Sequence, residues 1–584
     1  MQKYYNFRTV IGIKHVFFLI FALYYCKQFL LMRMKRSIAT SILLAVMTLT
    51  IRAQFSIDGR QVAYDSLSHI ILATVPQSVY NTDLQAHIQL NDNCTLLMIN
   101  GQVITDSYTF HNVTPTHRYM TSFATSDGRI ASGHIVFTTL PIVQLKGNFG
   151  YSYNTGQLLV SAPDSSFTET FTPQVKWRGG TTNGANKHKR NYKIKLPEDH
   201  SFFGLRNDNN WLLDAGQADV FRLRNLIANE IWGDFATKPY YADKKGKARS
   251  CISGQVVEVF LNDEYRGIYA FTENLDRKQM KLKKVDETTG EIHGCLWKSK
   301  SHSMAAKFGG YSQPYDNSKE TWEGFEVKYP ELNDNDTTDW STLVNAIEFS
   351  ARSTEDEFLA HYEEYFDIPV TIDYFIFQNV LSAADNNGKN MFWAVYDKAV
   401  DKKLTLAVWD LDCTVGQRWV TKSNKEAVRP DYRLEYSITL IERLIYEMGH
   451  AKYTQQAIDR YRELRQHFFT TDSLCSRYRH YSQLLQQCGA DKREAQRWSG
   501  DSDIDGETID FEAETAYICQ WIPQRLAYLD QCFDELDEQL SISHINTHHP
   551  ATNHIYSITG QQINPSHAAK PGIYIKNGKK YILR

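Results

Sequence analysis

The sequence lacks a strong net charge of either sign, and it lacks cysteine pairs at the spacing of metal sites. Its 584 residues contain 64 Lys and Arg against 67 Asp and Glu, which gives a net charge of −3. Because binding to a phosphate backbone needs an excess of basic residues, we expect no nucleic-acid partner. The nine cysteines are scattered without a C-x-x-C pair, which argues against structural zinc. Disulfides and buried free thiols both stay open.

Long apolar runs are scarce too, and they lie at the N-terminus. Residues 34–53 begin with a methionine and two basic residues, continue with an apolar run and end at a small residue, which is the pattern of a signal peptide. We interpret residues 1–33 as an upstream extension, with a membrane anchor as the alternative, so the true start is either Met1 or Met34. The mature protein is expected to be exported: periplasmic, secreted or at the cell surface.

Three units are predicted after this leader of residues 1–53. Residues 54–145 contain short alternating runs separated by turn residues, which are typical of an antiparallel, immunoglobulin-like β-sandwich. Residues 146–540 mix strands and helices and predict an α+β body with two lobes. Residues 545–584 include a His-His-Pro linker at 548–550 and predict a β module too small for an enzyme core. We expect that module to serve in attachment or sorting.

The residues best suited to chemistry lie between positions 385 and 412. Asp385 and Asn390 have the D-x-x-x-x-N spacing of a kinase catalytic loop, and Asp410 and Asp412 follow after one β-hairpin. Phosphoryl transfer needs a carboxylate that orients the attacking hydroxyl, and oxygen ligands for magnesium. The loop spacing alone is common in ordinary polar turns. Its combination with an apolar strand that ends in D-L-D favours a functional role, because one loop and one hairpin end can hold the same cation.

A basic segment that contains three glycines, residues 178–196, lies upstream. The glycines would let backbone N–H groups approach a phosphate, and the strand after them directs Lys193 and Lys195 to one face. A lysine on that face could contact nucleotide phosphates; the alternative is a solvated basic loop beside an edge strand. Glu230, on a predicted helix, could pair with that lysine as the αC glutamate of a kinase does.

Five motifs, in order, resemble those of the spore-coat protein H (CotH) family of atypical kinases, and the resemblance covers residues 146–540. The motifs read RGGTTNGANKHKRNYKIKL, WLLDAGQADVFRLRN, VFLNDEYRGIYAFTEN, AADNNGKN and VWDLDCTVG. The family implies a kinase-like fold that uses ATP and magnesium to phosphorylate protein substrates. The resulting hypothesis is a secreted atypical protein kinase acting on serine or threonine. The alternative is a non-catalytic cell-surface or adhesion protein on the same scaffold.

The resemblance also implies roles for individual residues. The catalytic aspartate would be Asp385. The metal ligands would be Asn390 and Asp410, with Asp412 beside them. The nucleotide lysine would be one of Lys189, Lys193 and Lys195. Motif positions with an architectural role would be Asp219, Arg224, Asn225, Asn262 and Glu273. The sequence departs from ordinary protein kinases, because two alanines precede Asp385 and both G-x-G-x-x-G and D-F-G are missing.

Two further patterns lie in the C-terminal part of the chain. The C-terminal segment resembles short end modules on exported proteins of the Bacteroidetes, which implies sorting or surface attachment. Residues Asp501, Asp503, Asp505 and Glu512 fit the calcium-loop pattern D-x-D-x-D-G-x5-E between two helical segments, but no second loop accompanies it. A metal-dependent hydrolase is less favoured than a kinase, because no activating histidine accompanies the acidic cluster.

Overall fold

The computed structural model describes residues 55–333, 335–417, 428–447 and 451–547, together with strands at 555–557, 562–563, 572–576 and 579–583. The predicted signal peptide, its upstream extension and the His-His-Pro linker lie outside these residues. In the part that is described, no helix is long and apolar enough to cross a membrane. The chain combines α and β structure, as predicted, with several sheets and a helix-rich second half.

The N-terminal unit consists of two sheets around an apolar core. Its strands are β1 (Phe55–Ile57), β2 (Arg60–Gln61), β3 (Ala63–Asp65), β4 (Ile70–Thr74), β5 (Leu84–Leu90), β6 (Cys94–Ile99), β7 (Gln102–Val103), β8 (Ser107–Phe110), β9 (Tyr119–Thr125) and β10 (Ile130–Thr138). The sheet orders are β2-β1-β5-β8 and β3-β4-β10-β9-β6-β7. Strands β4 and β10 are parallel, which corrects the prediction of a purely antiparallel sandwich. The chain passes through both sheets between them, and so long a connection permits parallel pairing.

A nine-stranded sheet follows. Its strands are β11 (Ile142–Lys146), β12 (Asn154–Thr155), β13 (Gln157–Ser161), β14 (Thr168–Phe171), β15 (Gln174–Arg178), β16 (Asn191–His200), β17 (Asp208–Asp214), β18 (Gly254–Leu261) and β19 (Glu264–Glu273). Their order is β12-β15-β16-β17-β19-β18-β11-β13-β14. The predicted hairpin between β18 and β19 is confirmed, and its turn residues Asn262 and Asp263 both have positive φ, as a tight turn between twisted strands requires.

A five-stranded sheet is antiparallel and packs against helices. Its strands are β20 (Cys295–Ser299), β21 (Thr321–Trp322), β22 (Phe325–Tyr329), β23 (Met391–Val395) and β24 (Thr405–Val408), in the order β21-β22-β20-β23-β24. The α-helices are α1 (Arg224–Phe235), α2 (Arg277–Met280), α3 (Ser341–Arg352), α4 (Glu355–Tyr365), α5 (Ile368–Val380), α6 (Thr439–Glu442), α7 (Ala451–His467), α8 (Thr471–Gln487), α9 (Ala490–Trp498) and α10 (Phe511–Thr547). Short 3₁₀ turns lie at Gln77–Val79, Thr181–Asn183 and Ser502–Ile504, and a π-helical turn at Arg443–Glu447.

Helix α5 and the β23–β24 hairpin form the centre of the helix-rich half. The helix is apolar on nearly every side and is buried along its length apart from Pro369, as expected for a helix surrounded by protein. Both hairpin strands are completely buried. Because such elements have little freedom to move, the loops at their ends are held firmly. Those loops carry the predicted acidic motifs.

The C-terminal residues form a small sheet of their own. Its strands β25 (Ile555–Ser557), β26 (Gln562–Ile563), β27 (Gly572–Lys576) and β28 (Lys579–Leu583) lie in the order β26-β25-β27-β28. All three pairings are antiparallel. The strands expected in this segment are therefore confirmed.

Candidate active site

Asp385 lies five residues after helix α5, in a loop that fixes one of its carboxylate oxygens. Its Oδ2 accepts hydrogen bonds from Lys389 Nζ at 2.6 Å and from Asn390 Nδ2 at 2.8 Å. Its buried Oδ1 accepts no hydrogen bond from the described residues, and His302 Nε2 lies 3.4 Å away. Burial alone would raise the pKa of Asp385, but His302 and Lys389 outweigh it and hold the pKa below its ordinary value. Asp385 is therefore an ionised carboxylate with one oxygen still available.

Asn390 and Asp410 occupy neighbouring positions at one end of the β23–β24 hairpin. Met391 pairs with Val408, so the residues just outside this pair, Asn390 and Trp409, stand side by side. Asn386 joins them, since its Nδ2 donates to the carbonyl of Asn390 at 3.0 Å and of Trp409 at 2.8 Å. The two acidic motifs therefore meet, as the spacing predicted. The amide nitrogen of Asn390 donates to Asp385, so the Oδ1 of Asn390 is the side-chain atom that could bind a cation.

Asp410 and Asp412 belong to a larger group of carboxylates. Burial raises the pKa of Asp412 well above its ordinary value, and the charges of Asp410, Asp214 and Asp219 raise it further. Asp410 itself is exposed and has a positive φ of 56°. A half-buried carboxyl beside three other carboxylates favours a bound cation. The residue types therefore suit a divalent metal, although no three of these carboxylates have ligand atoms within 4.8 Å of one another among the described residues. Asp214 was missed by the sequence reading, because it comes from β17, some two hundred residues away.

Asn225 connects that distant strand to the D-L-D turn. Its Nδ2 donates to Asp214 Oδ2 at 2.6 Å, and its Oδ1 accepts from the backbone N–H of Leu411 at 2.9 Å. Leu411 lies between Asp410 and Asp412, so the Asn225 amide supports the turn that presents both. Asn225 therefore has the architectural role that the resemblance implied, and the part that it supports is the D-L-D turn.

Arg224, the residue before Asn225, anchors the segment that follows the D-L-D turn. Its guanidinium is fully buried and contacts Asp219 at 2.6 Å, Glu514 and the carbonyl of Thr414 at 3.1 Å. Burial opposes the charge of Arg224, but the two carboxylates raise its pKa above the ordinary value. These contacts join α1, the D-L-D region and α10, which is the architectural role expected for this motif.

Lys189, one of the three candidate nucleotide lysines, is fully buried. Its Nζ lies 3.1 Å from Glu494 Oε1 and donates to the carbonyls of Ala215 at 3.0 Å and Ile268 at 2.5 Å. Burial lowers its pKa to about 7. With its donors committed to the protein interior, Lys189 stabilises the fold and does not reach a nucleotide. Lys189 is therefore excluded as the lysine that contacts the nucleotide.

The expected pairing of Glu230 with a lysine is also wrong. Glu230 accepts a hydrogen bond from the hydroxyl of Tyr481, and none of the lysines among the described residues forms an ion pair with it. Burial raises the pKa of Glu230. A buried lysine–glutamate pair does exist, but its glutamate is Glu494 on α9. Sequence spacing could not identify a partner that lies about three hundred residues from the lysine.

Lys193 and Lys195 lie on one face of β16, as the alternation predicted, while Tyr192, Ile194 and Leu196 face the core. Lys195 is exposed, whereas Lys193 is half-buried. Burial, with positive charges including Arg178 nearby, lowers the pKa of Lys193. Of the three candidates, Lys193 is therefore the one that is both reachable and partly shielded from water.

Two further cations approach the D-L-D turn from the neighbouring sheets. The guanidinium of Arg178, at the end of β15, lies 5.2 Å from the ring centre of Trp409, and Lys298 Nζ on β20 lies 5.3 Å from the same ring. Burial lowers the pKa of Lys298 to about 8, although the carboxylate of Asp410 opposes the shift. Arg178, Lys193 and Lys298 are called the cleft cations below. Lys298 offers positive charge beside Asp410, and Arg178 lies near both Lys298 and Lys193, so phosphate oxygens could bind here.

An apolar cluster lies between the nine-stranded and five-stranded sheets, next to the cleft cations. It includes Leu212 from β17, Leu296 from β20, and Phe392 and Trp409 at the two sides of the hairpin. Since Lys193 pairs with Leu212 across β16 and β17, its side chain shares a face with this cluster. The arrangement places positive charge at the border of an apolar surface.

Only some of the side chains of the calcium-loop pattern lie close together in the structure. Within the described part, one group of His and Asp side chains has ligand atoms within 4.8 Å of one another, and it is His188, Asp501 and Asp503. Asp505 and Glu512 are not in it, which corrects the expected calcium set. Asp501 caps a 3₁₀ turn, and Lys187 Nζ lies 3.6 Å from Asp503 Oδ1. Protein cations therefore already balance these carboxylates.

The cysteines of the described residues are free thiols, six of them buried. This agrees with one of the two alternatives left open by their scattered positions. Among the described residues, no cysteine belongs to a cluster of side chains close enough together to bind a metal.

Comparison with known proteins supports the motif resemblance. No curated protein matches the chain. The family described as CotH kinase protein matches residues 175–529, more than half of the sequence, and that range contains both acidic motifs and the whole basic segment, residues 178–196. The chain therefore belongs to the CotH kinase protein family.

Proposed function

We propose that this chain is a protein kinase that transfers the γ-phosphoryl group of ATP to serine or threonine hydroxyls of protein substrates. The observation that carries the proposal is the state of Asp385. One of its oxygens is held by Asn390 and Lys389, while the other is buried, ionised and without a hydrogen bond from the described residues. Such a carboxylate is prepared to accept a proton from an incoming hydroxyl.

The transfer step uses that free oxygen. The substrate hydroxyl oxygen attacks the γ-phosphorus, the bond from phosphorus to the bridging oxygen breaks, and ADP leaves with its electron pair. The hydroxyl proton passes to Asp385 Oδ1. Because Oδ2 is fixed by two donors, the carboxylate keeps its orientation as the hydroxyl approaches, which is the positioning that phosphoryl transfer depends on.

Asn390 Oδ1, Asp410 and Asp412 are the groups that would hold magnesium. A bound magnesium ion would neutralise charge on the phosphate oxygens. The carboxylate group around Asp412 supports this assignment, because Asp412 is partly desolvated among other carboxylates. Among the cleft cations, Lys193 takes the role of nucleotide lysine, and Arg178 and Lys298 add positive charge for the phosphates.

We further propose a kinase-like, two-lobed arrangement. The nine-stranded sheet would form the first lobe, and the five-stranded sheet with its helices would form the second, with ATP between them. Support comes from the apolar cluster between the sheets and from the Arg178 guanidinium of β15, which lies 5.2 Å from the ring centre of Trp409, the residue after β24. Export by the leader and surface attachment through the C-terminal module are proposed on the sequence patterns alone.

Incubation of the purified chain with γ-labelled ATP, magnesium and a mixed protein substrate tests the proposal. We expect label on serine or threonine, a large loss in Asp385→Asn of about a hundredfold or more, and no loss in Asp92→Asn, which removes an exposed charge in the sandwich. Equal labelling by both variants would reject Asp385 as the base. A wild-type chain that never transfers label would favour the non-catalytic alternative.

A further inference from the structure

A cavity of about 280 Å³ opens beside the Asp385 loop. Its wall includes Ala383, Ala384 and Asn387, which flank Asp385, and His302, whose Nε2 approaches Asp385 Oδ1 to 3.4 Å. A substrate hydroxyl that reaches Oδ1 therefore brings its neighbouring residues to this cavity. The volume suits one side chain rather than a nucleotide.

Arg525 from α10 lines the cavity and is not neutralised by a carboxylate. It is 1% exposed, and its Nε and Nη1 donate to backbone carbonyls of Asn379, Pro430 and Tyr432. Among the described residues, no Asp or Glu lies within ion-pair distance of it. Burial lowers the pKa of Arg525 to about 10. A buried positive charge without a carboxylate is costly, and an anion in the cavity would relieve that cost.

Two other donors line the same cavity. Gln378, which is 2% exposed, has a buried Nε2 that finds no acceptor among the described residues. Lys307 is half-buried, and no carboxylate of the described residues pairs with it. Buried polar atoms are nearly always paired, so an unpaired amide donor beside two cations indicates that an acceptor group belongs there.

The cavity wall also carries hydrogen-bond acceptors. Glu435 is its one carboxylate among the described lining residues, and the Oε1 of Glu435 already accepts from the N–H of Ser437 at 2.9 Å and from the Ser437 hydroxyl. Asn387 Oδ1 is also without a hydrogen bond. Among the described lining residues, the two cations Lys307 and Arg525 outnumber the single carboxylate of Glu435.

We infer that this cavity binds the carboxylate of an aspartate or glutamate close to the phosphorylated residue, so that the enzyme selects acidic substrate segments. The inference rests on the proposed kinase function, since it takes the hydroxyl at Asp385 as its reference point. Lys307 and Gln378 would donate hydrogen bonds to the carboxylate, and the buried Arg525 would attract it by its positive charge. Glu435 would limit the affinity by repulsion.

Peptides with one serine and a single glutamate, placed in turn at each of the neighbouring positions, test the inference on the full chain. Matched peptides carry glutamine or lysine there. Binding is followed by fluorescence anisotropy and phosphorylation by label transfer. We expect at least one glutamate position to improve affinity about tenfold over glutamine. Lys307→Ala should reduce that ratio severalfold, Glu435→Gln should increase it, and the exposed Lys492→Ala should leave it unchanged.

The outcomes separate the two proposals. Equal binding and phosphorylation of glutamate and glutamine peptides, or a preference for lysine, would overturn the acidic pocket and leave the kinase intact. Binding of the glutamate peptide that depends on Lys307, with no label transferred to any peptide, would keep the pocket and reject the kinase. A ratio that stays the same in Lys307→Ala and Glu435→Gln would also overturn the pocket.

Discussion

The amide oxygen of Asn225 accepts a hydrogen bond from the backbone N–H of Leu411 at 2.9 Å. This contact ties the start of helix α1 to the turn that presents Asp410 and Asp412. The other end of the same amide is held by Asp214. The geometry of the proposed metal site therefore depends on a side chain that touches neither ATP nor metal.

Replacing Asn225 should loosen the D-L-D turn. In Asn225→Ala the N–H of Leu411 loses its acceptor, which costs about 1–2 kcal/mol of stability, and the magnesium concentration needed for half-maximal phosphorylation should rise severalfold. Asn225→Asp keeps an acceptor for Leu411 and should lose less. Magnesium titrations of both variants check this, and an unchanged magnesium requirement in Asn225→Ala would remove Asn225 from the account.

The two lysines of the basic segment should behave in opposite ways. Lys189→Met breaks a buried ion pair and should lower the free energy of unfolding by about 3 kcal/mol, because the carbonyls of Ala215 and Ile268 also lose their donor. Lys193→Met should leave the melting temperature nearly unchanged and raise KM for ATP about tenfold. Thermal melts and ATP kinetics on both variants test the contrast. A stable Lys189→Met protein with lost ATP affinity would contradict it.

Phosphotransfer should depend on the protonation of His302. The Asp385 carboxylate, 3.4 Å from His302 Nε2, raises the pKa of His302. The ion pair therefore persists to higher pH than for an ordinary histidine, and it is lost as the pH rises through the raised pKa of His302. While it lasts, the imidazolium competes with the substrate hydroxyl for Asp385 Oδ1. Activity should therefore rise as the pH increases above about 6.5, the ordinary pKa of histidine.

His302→Gln removes the titration and should flatten this part of the pH profile without abolishing activity. The measurement is kcat against pH for wild type and variant. An unchanged profile in His302→Gln would show that another group controls the rise.

The parts of the structure that could be predicted from sequence are those set by local pattern. The alternation of Lys193 and Lys195 with apolar residues identified their face of β16, and the hairpin turn at 262–263 was evident from its Asn-Asp pair. Asp385, Asn390 and the D-L-D turn were found for the same reason, because one loop and one hairpin bring them together within a few tens of residues.

The parts that could not be predicted depend on contacts between distant segments. Asp214 joins the carboxylate group only because β17 lies beside α1. Glu494, about three hundred residues further along the chain, pairs with Lys189. Arg525 of α10 lines the cavity beside the Asp385 loop. Tertiary packing determines each of these three contacts, and the local periodicity of the sequence does not reveal them.

Calorimetric titration of the full chain with ATP, with and without magnesium, tests the central claim most directly. The account predicts ATP binding that requires magnesium in the wild type, that is lost or reduced more than tenfold in Asp410→Asn, and that persists in Asp385→Asn, since Asp385 handles the hydroxyl rather than the nucleotide. Absence of ATP binding in the wild type, or equal binding by all three proteins without magnesium, would contradict it.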